Sequence, residues 1–165
     1  MKHMFKSIVM IAIAIFSIVL IAGCGSSSSN LEGSYKTATT QRQDGSNTTY
    51  YITLKKISDN SYEVEQYYIV DARNYDKEKA HKYSSSTPAP WQGNVVVNEE
   101  RYMATLNKDS LNITNSELEG YVITKDGSLK SVVKPEFDIK KVSDDIQTLK
   151  DFSPVPENEL MISNW

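Results

Sequence analysis

Ser61-Tyr62-Glu63-Val64-Glu65-Gln66-Tyr67-Tyr68-Ile69-Val70-Asp71 alternates in character along its length. Tyr62, Val64, Tyr68 and Val70 fall on one parity, and Glu63, Glu65 and Asp71 on the other. Successive side chains of a strand point to opposite faces, so this pattern describes a β-strand with one face in a core and one in water. Gln66 sits on the apolar parity, where a buried amide must find hydrogen-bond partners. Asp59-Asn60 marks a turn just before it. On the other side of that turn, residues 48–57 place Tyr50, Ile52 and Leu54 on one face.

The same reading carried outward gives further strands at 34–40, 94–97, 101–106, 111–114, 121–124, 129–133 and 137–142. Asn98-Glu99-Glu100 separates the fourth and fifth of the nine strands in chain order, and Asp126-Gly127 joins 121–124 to 129–133 as a hairpin. Beyond position 23 the chain holds 11 Thr, 10 Val, 8 Ile and 10 Tyr against 5 Ala and 8 Leu, a composition that favours strands over helices. Eight or nine short strands without βαβ alternation predict a mostly β fold. The expected architecture is an antiparallel meander curled into a small barrel, with a two-sheet sandwich as the alternative.

Near the end the period changes. Val142, Ile146 and Leu149 are spaced four and three apart, Ser143 is placed to cap, and Asp144 and Asp145 fill a first turn. This spacing predicts one short amphipathic helix over 144–151. Residues 153–165 read as an extended, mobile, acidic tail, in which Met161, Ile162 and Trp165 are available to fold back onto the body.

The first two dozen residues have a different composition. Lys2 and Lys6 precede fifteen residues, 8–22, in which Ser17 is the only polar side chain. A basic start, a short apolar run and a small-residue exit form a secretory signal, and the run is shorter than the ~20 residues needed to span a bilayer. The exit Leu20-Ile21-Ala22-Gly23-Cys24 resembles the lipobox of bacterial lipoproteins. The resemblance implies removal of residues 1–23, a diacylglyceryl group on the Cys24 thiol and often an acyl group on the new amino terminus. Two or more chains would moor the protein stably.

Gly25 stands where an inner-membrane retention signal would have Asp. The Cys-Gly-Ser exit and Lys/Asn/Ile-rich composition are similar to lipoproteins of low-GC Gram-positive cells, which favours an outward-facing site on that cell membrane, or the outer membrane in a Gram-negative cell. Residues 24–30 then form a Gly/Ser tether reaching about 12–15 Å from the lipid. Residues 31–152 form the β-rich domain. Leu31-x-Gly33-x-Tyr35 and the Phe137 to Val142 run resemble small lipocalin-like bacterial lipoproteins, which implies a barrel.

Chemistry is sparse. The chain holds 165 residues with one Cys and two His, and loss of Lys2 and Lys6 leaves 16 basic against 21 acidic side chains, a charge of −5. That balance argues against a nucleic-acid partner, and one thiol rules out an internal disulfide or a multi-thiolate metal site. His81 lies among charges at 76–82 and reads as a solvated surface residue. Adjacent Glu99 and Glu100 do not face each other across a cleft as a glycosidase pair must.

The reading is therefore a non-enzymatic protein without a cofactor other than the Cys24 lipid. It binds a small amphipathic ligand, with Tyr62, Gln66, Tyr68 and Tyr102 lining an interior. Residues 73–93 form a long loop in which Trp91, after Pro88 and Pro90, serves as a contact residue or plugs one end of the barrel. The alternative is a protein–protein interaction module at the cell surface, in envelope assembly, enzyme inhibition or phage exclusion. For the anchor, intact-mass measurement should find Cys24 amino-terminal and bearing diacylglycerol. Globomycin or Cys24→Ser should leave the precursor at full length.

Overall fold

The computed structural model describes residues 30–83, 87–114 and 120–163. The signal sequence, Cys24, residues 25–29 of the tether, the serines at 84–86 and Trp165 lie outside the described residues.

Ten strands follow one another as β1 (Gly33–Thr37), β2 (Thr40–Gln41), β3 (Asn47–Ser58), β4 (Ser61–Asp71), β5 (Val95–Asn107), β6 (Ser110–Ile113), β7 (Gly120–Ile123), β8 (Leu129–Ser131), β9 (Asp138–Ser143) and β10 (Leu160–Ile162). Among the described residues the other elements are two short helices, α1 (Lys77–Tyr83) and α2 (Leu149–Phe152), and 3-10 turns at Ala89–Trp91 and Glu157–Glu159. Each long strand hydrogen-bonds its sequence neighbour, and β1 pairs with both β3 and β9. The result is a closed, eight-stranded antiparallel barrel of lipocalin-like form, with β2 and β10 as additions. Closure selects the barrel over the sandwich and leaves the eight strands without an outer edge.

The closing strand explains the Leu31-x-Gly33-x-Tyr35 motif. Leu31 and Tyr35 are fully buried at one end of the barrel, and the Tyr35 hydroxyl donates to the Leu31 carbonyl at 2.8 Å. Gly33 has φ +139°, and a Cβ there would run into the Ser143 carbonyl. Only glycine tolerates that backbone at that approach. Around this end pack Ile52, Leu54, Tyr62, Val64, Ala104, Leu111, Ile113, Tyr121, Leu129 and Ile139. Residues from Leu31 onward form one compact unit that contains the described core.

Four expectations are corrected. Asn98-Glu99-Glu100 does not break a strand: β5 runs through it, with Gln66 paired to Glu100 and Tyr67 to Glu99. Glu99 points outward onto Arg101 at 2.8 Å, and Arg101 also meets Glu65 at 2.6 Å, so the local run of acid is neutralised across the ladder.

The C-terminal helix starts at Leu149, not 144. Ser34 Oγ donates to the Asp145 carbonyl and accepts from the Gln147 N–H, both at 2.8 Å, which ties 145–147 to β1 outside the helix. Thr148 and Asp151 form a capping box at the helix start, in place of the Ser143 cap expected.

The tail is docked and not mobile. β10 adds in parallel to Val95–Val97, and Val155 and Leu160 pack on a second cluster of Tyr67, Ile69, Val95, Val97, Leu149 and Phe152. These residues lie on the outer face of β4 and β5, which is thus buried as well as the inner one. Finally, residues 73–93 contain α1, whose start is capped by the Asp76 carboxylate accepting from the Glu78 and Lys79 N–H groups.

Phe152 carries the outer cluster, its ring stacked 4.3 Å from Tyr51 and 5.6 Å from Tyr67. Phe152→Ala should lower unfolding free energy by about 3 kcal/mol, read as a reduced urea midpoint at unchanged slope.

Candidate functional site

The barrel wall is uneven. β3, β4 and β5 have 12, 11 and 13 residues, while β6, β7 and β8 have 4, 4 and 3. β6 pairs only with Ala104–Asn107 of β5, and β10 only with Val95–Val97. The tall strands thus rise past the short ones, and their inward parity continues without a facing sheet of equal height. On that parity lie Tyr50 of β3, Gln66 and Tyr68 of β4, and Asn98 and Glu100 of β5, in register as Tyr50–Tyr68–Asn98 and Ile52–Gln66–Glu100.

A hollow opens against this wall in two connected parts. The outer chamber, about 580 Å³, is lined by Arg42, Tyr50, Gln66, Tyr68, Pro88, Trp91, Asn98, Glu100 and Lys134. The inner chamber, about 220 Å³, is mostly apolar, with Ile52, Ile113, Phe137 and Ile139 among its walls. Tyr50, Gln66, Glu100 and Lys134 border both and form the neck between them. The outer volume lies within the range of small-molecule sites, roughly 300–1,000 Å³.

The neck is ordered by short polar contacts. Gln66 donates its amide hydrogen to the Tyr121 hydroxyl, which supplies the partner that its place on an apolar parity required. The two Glu100 oxygens accept from Tyr102 Oη at 2.6 Å and from Asn98 Nδ2 at 3.3 Å. Lys134 Nζ donates to Tyr50 Oη at 3.3 Å and lies 5.5 Å from the centroids of both the Tyr50 and Phe137 rings. Tyr50 in turn packs on Tyr68 at 4.5 Å and Phe137 at 5.4 Å. Burial pushes the Tyr68 phenol above its ordinary pKa and the neighbouring Tyr50 adds to this, while the charges of Arg42 and Lys134 pull the other way.

Of the residues singled out in the sequence, Gln66, Tyr68 and Trp91 are brought together at the outer chamber. Trp91 is also 8% exposed and packed with Val70, Ala72 and Val96, so it plugs this end and forms part of the chamber wall at once. Tyr62 is elsewhere: its position, opposite Ala104, puts it in the apolar cluster at the closed end. Tyr102 packs at the edge of that cluster and reaches the site only through Glu100. Sequence reasoning missed Tyr50, Glu100, Arg42 and Lys134. Tyr50 and Glu100 were recoverable, since each pairs across the ladder with a residue of the same inward face. Arg42 and Lys134 come from loops, where no period constrains the side chain. His81 is exposed on α1, as expected.

One buried acid fixes the mouth. Asp44 is fully buried and accepts from the Ser46 N–H at 3.0 Å, the Ser46 hydroxyl at 2.5 Å and the Thr87 hydroxyl. Arg42 Nε is 3.7 Å away. Burial favours the neutral acid, but the hydrogen bonds and the Arg42 charge outweigh it and hold the carboxyl below the usual range. The Asp44 carbonyl also accepts from the Asp76 N–H at 2.7 Å. It thereby ties the β2–β3 turn, which carries Arg42, to the segment that carries Pro88 and Trp91.

No family model matches the chain, and neither a curated protein nor a solved structure does.

Because the folded carboxyl is the stronger acid, Asp44 adds stability above its unfolded pKa of ~3.9, and that stability is lost as pH falls through the lower folded value. Asp44→Ala should cost about 2 kcal/mol at pH 7. The gap to the wild type should narrow as urea unfolding is repeated toward pH 3.

Proposed function

We propose that this chain is a lipid-anchored binding protein of the cell envelope that holds a small amphipathic ligand in the barrel hollow without transforming it. The observation that carries this reading is that an aromatic-walled outer chamber with polar groups adjoins a mostly apolar inner one, the two sharing Tyr50, Gln66, Glu100 and Lys134 as lining. A molecule with one polar and one apolar end finds a matching surface along the whole path. The lipobox-like exit at Cys24 supports the placement at a membrane, where amphipathic molecules are concentrated and a short tether keeps the barrel close to them.

The groups in the hollow are suited to holding. Gln66, Asn98 and the tyrosines offer hydrogen bonds from fixed strands, and the Tyr50–Tyr68–Phe137 cluster offers rigid apolar area. On this reading Tyr50, Glu100, Arg42 and Lys134 line the hollow in place of Tyr62 and Tyr102.

Residues 25–165, incubated with an envelope lipid extract and passed to native mass spectrometry, should retain a discrete added mass. Asn98→Trp, which places an indole in the outer chamber at a strand position, should lose that mass while melting at a similar temperature. A wild-type barrel that emerges bare overturns the proposal.

A further inference from the structure

The geometry points to a small organic anion as the ligand class, its charged group at Lys134 and Arg42 and one short apolar end in the inner chamber. This inference rests on the binding function proposed above and narrows it.

Charge is the first argument. The hollow is lined by two cations, Arg42 and Lys134, and one carboxylate, Glu100, with the Asp44 carboxylate behind the wall 3.7 Å from Arg42, and the two signs are differently provided for. Asp44 lies behind the wall, fully buried, with Ser46 and Thr87 donating to it. Glu100 is met on both oxygens by Tyr102 and Asn98 of its own strand. Lys134, in contrast, has only the neutral Tyr50 phenol oxygen, and no carboxylate lies within ion-pair distance of it among the described residues. Its ammonium is held over two ring faces at the neck, with donor capacity left for an acceptor in the chamber. An ammonium offered to the outer chamber while the acids are already hydrogen-bonded recognises a negative group.

Convergence is the second argument. Both cations line the outer chamber together with Tyr68, which lies on the same inward face as Gln66 and Asn98. A carboxylate or a phosphate near Tyr68 would accept from Lys134 and lie in the field of Arg42, and charge-assisted bonds of this kind are the strong ones.

Size is the third argument. The inner chamber, at about 220 Å³, lies below the usual volume of a whole small-molecule site, so it takes a short chain or one ring and not a diacyl lipid.

Isothermal titration of residues 25–165 with octanoate, 1-octanol and octylammonium separates the possibilities, because the three share one chain and differ in head charge. Octanoate should bind about tenfold tighter than octanol, and octylammonium weakest of all. Lys134→Met, a change at an exposed position, should remove the octanoate advantage, bringing the octanoate-to-octanol affinity ratio to about one. Added sodium chloride should weaken octanoate alone.

Equal affinities for the three, or an octanoate preference that survives Lys134→Met, overturns anion selection while leaving the binding hollow in place. Preference for octylammonium does the same and assigns the head-group contact to Glu100. Absence of heat with all three, together with a bare barrel in the lipid-extract experiment, removes the binding function itself.

Discussion

The barrel depends on β1 being held between β3 and β9. Gly33 pairs with Leu54, and Tyr35 pairs with Ile52 on one side and Lys141 on the other, so five residues join the first and last long strands of the meander. That join needs a backbone approach which no Cβ allows, and it needs large side chains on either side of the glycine to fill the space beneath. Without it the eight strands would be an open sheet with two long edges, and the inward tyrosines would face water. With it, the interior becomes a defined volume, and the question is how much of that volume is filled.

The answer differs between the two ends because the strands differ in length. Where short and tall strands overlap, apolar side chains from all of them meet and the interior is solid. Above β6–β8 the tall strands continue alone, and the inward positions change from Val64 and Ala104 to Gln66, Asn98 and Glu100. An inward polar face is costly unless its groups are paired, and here the pairing is local: Gln66 with Tyr121, Glu100 with Tyr102 and Asn98. The outward face of the same strands compensates. Tyr67, Ile69, Val95 and Val97 lie under α2 and the C-terminal segment, so the tall half is anchored from outside where it is hollow within.

The periodic part of this was legible in the sequence. Parity along 61–71 identified the inward face of β4, the β-branched composition identified the class, and Gln66 stood out as an amide on the wrong parity. What was not legible lies where period gives no information or competes with charge. Glu99-Glu100 looks like a turn because two acids rarely share a buried strand, yet alternation sends one onto Arg101 and the other into the hollow. Tyr62 and Tyr68 share a parity but not a depth, and depth along a strand depends on how tall the opposite wall is. The 144–151 periodicity was overridden by Ser34, 111 residues away from Asp145 in sequence, whose hydroxyl ties that backbone to β1.

The division of labour has a consequence for how such a site can vary. Residues that close the barrel and fill its lower end carry the packing, and a change there is felt as a cavity or as overpacking. The lining of the outer chamber is drawn instead from the tall strands' inward polar positions, from the loop that carries Lys134, and from two loops, 42–46 and 87–93, joined through Asp44. Those loops contribute Arg42, Pro88 and Trp91 without contributing a strand to the ladder. The chamber lining is therefore separable from the closure of the fold: Lys134 and Arg42 can change while Gly33, Tyr35 and the lower core stay as they are. Trp91 is the exception, because the same indole that covers the chamber also seals Val70 and Val96. It couples occupancy of the hollow to the packing of the barrel's upper end.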